Sequence, residues 1–222
     1  MISLCIFDLD GTLINSLYDL ADAMNHALSK NGLPVIERDR YKLLVGNGIS
    51  VLADRAMGAA EGSESELKDR VLKDFNEYYS RHNKDMTRPY EGIEELLAEL
   101  EGCGVRYAVL SNKPDHFTKE LIHTLFPERS FACIWGKKEG YPTKPDPASV
   151  LAVIDRTGVR KDECIYIGDS NVDILTAKNA GLKSIGVSWG FRSVEELTSA
   201  GCGFIAHRPG DILDLIRGVN NV

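Results

Sequence analysis

Short apolar runs rich in β-branched residues recur along this chain: SLCIFDLD, VRYAVLSN, FACIWG, ECIYIGD and KSIGVSW. Their near-continuous apolar character is that of strands covered on both faces, as in a parallel sheet. Helical patterns lie among the later runs: GIEELLAELEGCG, DHFTKELIHTLF, PASVLAVIDRTG and VDILTAKNAG. Two of them close on a glycine placed as a helix C-cap, Gly158 and Gly181. Strand and helix in alternation predict an α/β fold, a doubly wound parallel sheet of Rossmann-like type.

The first run breaks that rhythm. After it come about seventy residues with helical character and no convincing strand. LYDLADAMNHALSKNG carries Leu17, Leu20, Ala21, Met24 and Leu28 at helical spacing, and GISVLADRAMGAA and SELKDRVLKDFNEYYSRH read as two more helices. The expected division is therefore an α/β core of residues 1–14 and 87–222, with an all-helical domain of residues 15–86 inserted after the first strand. The alternative is that these helices simply cover the sheet.

Composition removes several classes of function. Lys plus Arg number 26 against 33 acidic residues, a net charge of −7, which argues against a nucleic-acid partner. The five cysteines (Cys5, Cys103, Cys133, Cys164, Cys202) are dispersed and lack CxxC spacing, so neither a disulfide framework nor a zinc site is expected. No stretch approaches the ~20 apolar residues of a membrane span, and Asp8 interrupts the N-terminal apolar run, against a signal peptide. The expectation is a cytoplasmic protein without a membrane partner, monomer or homodimer.

The polar residues at the strand ends carry the chemistry. Asp8 and Asp10 end the first run, where i and i+2 point to the same side. Two carboxylates there repel, and a positive group is required nearby. Open α/β sheets bind ligands beyond such strand ends. IYIGDSNVDI delivers Asp169 to another strand end, with Asp173 either capping the following helix or serving the same site. Several carboxylates in one place call for a hard cation with oxygen ligands, and Mg2+ suits them best. Ser111, Asn112 and Lys113 end a third strand, where a hydroxyl and backbone N–H groups suit a phosphate. Lys144, between Thr143 and Pro145, is the candidate counter-charge for Asp8.

These four elements, DLDGT, LSN, the lysine before PDP, and GDSNVD, resemble in their order the four motifs of the haloacid dehalogenase (HAD) superfamily. The resemblance covers the whole chain, and the helical insert is similar to that family's cap domain placed after the first strand. It implies that Asp8 is the nucleophile and forms an aspartyl-phosphate, and that Asp10 is the general acid and base. Ser111 and Lys144 would bind phosphate. Asp169 would bind Mg2+ with Asp8 and the backbone carbonyl of Asp10, and Asp173 would support the metal's water shell. An aspartate at position 10 makes carbon–halogen cleavage a poor reading, because that reaction needs no leaving-group acid.

Further stretches are similar to the phosphoglycolate phosphatase-like subfamily: KLLVGNGIS, SNKPDHF and the run from GVSWGFR to RPGDIL. The loop Gly46-Asn47-Gly48 would meet a small carboxylate or is a plain helix connection. Lys113 would meet the anionic end of the substrate or lie in solvent, and Arg192 is expected on the surface. The subfamily often has Asp where this chain has Asn15, a difference that bears on cap closure. The expected partner is a small phosphorylated metabolite, 2-phosphoglycolate first. The alternatives are a phosphosugar phosphatase, a β-phosphoglucomutase-like phosphotransferase, an inorganic pyrophosphatase, and a non-catalytic phosphate- or Mg2+-binding receiver module.

Overall fold

The computed structural model describes residues 1–62 and 64–220. The chain divides into two compact units, Met1–Ile14 with Pro89–Val222, and Asn15–Arg88. The crossings fall in two short strands, β2 (Ile14–Asn15) and β3 (Arg88–Pro89).

The larger unit is built on a six-stranded, all-parallel sheet. Its strands are β1 (Leu4–Phe7), β4 (Arg106–Pro114), β5 (Cys133–Lys137), β6 (Cys164–Gly168), β7 (Lys183–Val187) and β8 (Ile205–Ala206), in the spatial order β5-β4-β1-β6-β7-β8. The first strand thus lies inside the sheet between β4 and β6, and connections run outward from it in both directions. That makes the carboxyl ends of these three strands a switch point, where loops diverge and leave a crevice.

Both faces of the sheet are covered, which is why its strands read as unbroken apolar runs. The period-2 alternation sorts residues between the two faces. Cys5, Phe7, Tyr107, Val109, Ile165 and Ile167 fall in one buried cluster, and Leu4, Ile6, Ala108, Leu110, Cys164 and Tyr166 in the other. The first face is covered by α4 (Ile93–Gly102), α5 (Asp115–Leu125) and α9 (Pro209–Asn220), the second by α6 (Ala148–Thr157) and α7 (Asn171–Ala180). In α4 the buried residues Ile93, Leu96, Leu97 and Leu100 keep the spacing of one helix face. Each contributes about 1.5–3 kcal/mol by leaving water. Gly158 and Gly181 end α6 and α7 at φ +65° and +68°, in the left-handed conformation expected of them. The sequence pattern missed the two-residue β8, the short helix α8 (Val194–Ser199) and α9.

The smaller unit is helical: α1 (Leu17–Lys30), a 3-10 turn at Arg38–Leu43, α2 (Ile49–Met57) and α3 (Glu66–His82). Leu20, Met24 and Leu28 of α1 and Val71, Phe75 and Tyr79 of α3 are buried. A buried ion pair, Lys68 Nζ to Asp54 at 2.7 Å, is added to that core. Asp19 accepts from the Met86 and Thr87 N–H groups and from Thr87 Oγ1 at 2.6 Å, which ties the segment leaving the unit to its first helix. Asn15 stands just before α1, where its Oδ1 accepts from the Leu17 N–H. Among the described residues no helix is long and apolar enough to cross a membrane.

Candidate active site

Asp8 leaves β1 with its N–H still donating to Ile167 O at 2.9 Å, so the ladder with β6 continues past the strand. The chain then turns. Leu13 N–H donates back to Leu9 O, and Gly11 takes φ +93°, which an L side chain rarely adopts. Space is a second constraint at Gly11, because a Cβ there would lie 2.3 Å from Asp169 Oδ2. Gly190, after β7, is under the same pressure: its Cβ would fall 2.2 Å from Asp169 Cβ and 2.5 Å from Gly11 O. Two glycines therefore make the slot that holds the Asp169 carboxylate.

Asp169 is fixed in that slot by the Phe191 N–H, which donates to Oδ2 at 2.7 Å, and by Thr12 Oγ1 at 3.4 Å from Oδ1. Asp173 sits one turn on, in α7. Its Oδ2 accepts from Ser170 N–H at 3.1 Å and Ser170 Oγ at 2.6 Å, the capping box of that helix. Its Oδ1 accepts from Lys144 Nζ at 2.7 Å. One oxygen of Asp173 thus caps the helix and the other meets Lys144.

Lys144 also donates to Asp8 Oδ1 at 2.7 Å, so a single buried ammonium joins Asp8 to Asp173. Its backbone is held by Asn112, whose Oδ1 accepts from Lys144 N–H at 2.8 Å and whose Nδ2 donates to Lys144 O at 3.2 Å. The Asn112 amide is thereby spent on positioning Lys144. Ser111, also buried, accepts at Oγ from the Lys113 N–H. β4 continues through Lys113 to Pro114, with its register against β5 irregular between Leu110 and Pro114. Lys113 is not in solvent. It is 4% exposed, and its Nζ lies 2.9 Å from both carboxylate oxygens of Asp10.

Asp8, Asp169 and Asp173 each offer an oxygen within 4.8 Å of the others, and all three are buried. Burial pushes Asp8 up to about 7; Lys144 pulls against this, while Asp173 and Asp10 add to it. Asp169 is held well above the ordinary carboxylate range by burial and then by Asp173 and Asp8, against the opposing pull of the Phe191 N–H and Lys144. Burial lowers Lys144, but Asp173 and Asp8 outweigh it and keep the ammonium firmly charged. Three buried carboxylates against one lysine leave negative charge uncompensated, and a divalent cation with oxygen ligands fits that deficit.

The loop Gly46-Asn47-Gly48 belongs to the helical unit. Gly46 and Gly48 have φ of +123° and +88°, Gly48 is the N-cap of α2, and Asn47 Oδ1 accepts from Arg55 Nη2 at 3.1 Å. The five cysteines are free, and four of them are buried. Arg192 is not the surface residue expected, since its side chain is 10% exposed and lies 3.3 Å from Glu196. Sequence reasoning also missed the Phe191 N–H and the slot glycine Gly190. Their one sequence signal is the WGF run directly after β7.

Known proteins are similar to this chain over most of its length. A phosphoglycolate phosphatase of Vibrio parahaemolyticus is 31% identical over 97% of this chain and 96% of its own length. One of Mesorhizobium japonicum is 35% identical over 84% and 82%. A crystallised protein of Lactobacillus delbrueckii subsp. bulgaricus is 34% identical and superposes with TM-score 0.88 over 96% of this chain and 98% of that one. A predicted phosphoglycolate phosphatase of Haemophilus somnus 129pt, 29% identical, covers 96% and 97% with TM-score 0.87. The model of the haloacid dehalogenase-like hydrolases matches residues 5–187, and the chain belongs to that family.

Proposed function

We propose that this enzyme, a phosphoric monoester hydrolase, is a Mg2+-dependent phosphatase of small phosphorylated acids, with 2-phosphoglycolate the leading substrate. The observation that carries the reading is the Lys144 ammonium, 2.7 Å from Asp8, beside the buried carboxylate of Asp169. A carboxylate approaching a phosphate dianion meets like-charge repulsion, and Lys144 offsets it at the attacking atom. Mg2+, held by Asp8, Asp169 and the Asp10 carbonyl, would supply the remaining positive charge. Asp173 then acts by holding Lys144 in place.

In the proposed reaction an Asp8 oxygen bonds to phosphorus while the ester P–O bond breaks. The leaving alkoxide takes a proton from Asp10. Water next attacks the aspartyl-phosphate and gives its proton to Asp10, and inorganic phosphate and the Asp8 carboxylate are released. The names of the relatives support 2-phosphoglycolate as the ester. The helical unit is proposed as the cap over this chemistry, and its glycine-framed loop at Gly46–Gly48 as a contact for the substrate.

The test is phosphate release from a panel of small esters. The expected order places 2-phosphoglycolate above hexose phosphates and pyrophosphate. EDTA is expected to remove the activity and Mg2+ to restore it. A hexose phosphate at the head of the panel would move the reading to a phosphosugar enzyme, and release from none would overturn it. Gly190→Ala gives a second check, because its Cβ would displace Asp169. The expected result is about a 10- to 100-fold rise in the Mg2+ concentration needed for half-maximal rate, the usual scale for disturbing a ligand's support.

A further inference from the structure

Ser111 stands where the sheet stops positioning β4. Pairing of β4 with β1 ends at Val109, and its register against β5 is irregular between Leu110 and Pro114. Something other than the ladder has to hold this stretch. One tie follows Ser111: the Asn112 amide meets the backbone of Lys144. The other precedes it and comes from a residue outside the proposed reaction. Tyr166 of β6, fully buried, reaches across the width of β1 and sets its hydroxyl 3.3 Å from Leu110 O and 3.5 Å from Asp173 Oδ1. Both distances are long, as befits one proton offered to two acceptors. Burial holds the phenol well above its ordinary 10, against the pull of Lys144, so the hydroxyl keeps that proton. Asp173 Oδ1 is also the oxygen that accepts from Lys144 Nζ at 2.7 Å. Both ties at Ser111 therefore lead to Lys144, one to its backbone and one to its ammonium.

We propose that the Tyr166 hydroxyl is a positioning group for the phosphoryl site: it joins the strand end that carries Ser111 to the Asp173–Lys144 pair. It thereby fixes the spacing between Ser111 and Lys144, the two side chains that bind the phosphoryl group in the phosphatase reading, on which this inference rests. Tyr166 is 0% exposed, so it acts only through these neighbours. Loss of the hydroxyl loosens the grip on the phosphoryl group whatever alcohol that group is attached to. Binding of the leaving group is untouched.

The experiment measures, with Mg2+ present, KM for the best esters of the panel and the inhibition constant of inorganic phosphate, in the wild type and in Tyr166→Phe. Phe keeps the ring and its place 5.7 Å from the Lys144 ammonium, so the hydroxyl alone is removed. In the variant KM and the inhibition constant are expected to rise together by about 3- to 10-fold, the scale of one hydrogen bond. Neither quantity depends on the fraction of active protein, so a partly folded variant still gives an answer. Tyr107→Phe is the comparison. It removes another buried hydroxyl, bonded to Glu101 on the opposite face of the sheet. That variant is expected to lose Tm and to keep the wild-type KM and inhibition constant. Three results would overturn the proposal: KM and the inhibition constant unchanged in Tyr166→Phe, a rise in KM without one for phosphate, or the same rise in Tyr107→Phe. Absence of phosphate release from every ester by the wild type would instead overturn the phosphatase reading beneath it.

Discussion

Asp8→Asn is expected to abolish phosphate release while making the metal-free protein more heat-resistant at pH 8. The loss of rate follows from losing the attacking oxygen, and for an obligatory nucleophile it is on the order of a million-fold. The gain in stability follows from the environment of Asp8. Burial pushes this carboxyl up to about 7, despite the Lys144 ammonium at 2.7 Å, from an ordinary value of 3.8. Between those two values the unfolded chain has lost its proton and the folded chain still holds it. The folded state binds more protons there, so stability falls as pH rises through the window from 3.8 to about 7. Above it the whole penalty is present, and below it there is none. The amide removes the penalty and keeps the shape, and Lys144 retains Asp173. In EDTA the variant should melt roughly 2–6 °C above the wild type at pH 8. At pH 4 that advantage should vanish. Mg2+ should then raise the wild type more than the variant at pH 8, since it answers the charge that the variant lacks. A variant less stable than the wild type at pH 8 without metal would show that Asp8 is held chiefly by its lysine rather than strained by burial.

The strand-end carboxylates were legible because a buried parallel strand betrays itself as an apolar run, and a charged residue closing such a run has few ordinary reasons to be there. Asp8 and Asp169 were found in that way, Lys144 by its place between Thr143 and Pro145, and the three come together in the structure. The neighbourhood of Ser111 was harder. β4 runs to Pro114, but its register is irregular between Leu110 and Pro114, so no simple alternation gives the side-chain directions there. Asn112 meets the Lys144 backbone and Lys113 meets Asp10. No pattern within the strand reveals a partner 103 residues away. Support given by backbone is still less visible. The Phe191 N–H that holds Asp169 leaves no mark in residue type, and Gly190 is one of 20 glycines until the space above it is known. The two-residue β8 is too short for any periodicity to register.

Lys144→Met is the substitution expected to cost the fold most. Met fills nearly the same volume, so the effect isolates charge rather than packing. The ammonium is 3% exposed and donates at 2.7 Å to both Asp8 and Asp173, with Asp169 close by. Removing it leaves three buried carboxylates facing one another with no cation. Breaking a buried ion pair from one side costs about 3–5 kcal/mol, which for a chain of this length lowers Tm by roughly 6–20 °C. The pH sense is the same as that of Asp8, since both groups bind their proton more tightly in the folded state, but the window lies far higher. Asp173 and Asp8 hold the lysine above its ordinary 10.5, outweighing the lowering by burial. Its contribution is therefore complete at any pH below that value and fades only as pH rises toward the folded-state value. The variant should be restored in part by Mg2+, which supplies positive charge to the same carboxylates, and in part by acid, which protonates them. Adding Asp173→Asn to Lys144→Met removes one of the orphaned charges while the amide oxygen can still accept from Ser170. The double variant should recover roughly half of the lost Tm, because the penalty lies in the uncompensated carboxylates and not in the missing amine. A double variant that melts as low as the single one would place the cost in lost packing and refute the electrostatic account of how Lys144 supports this site.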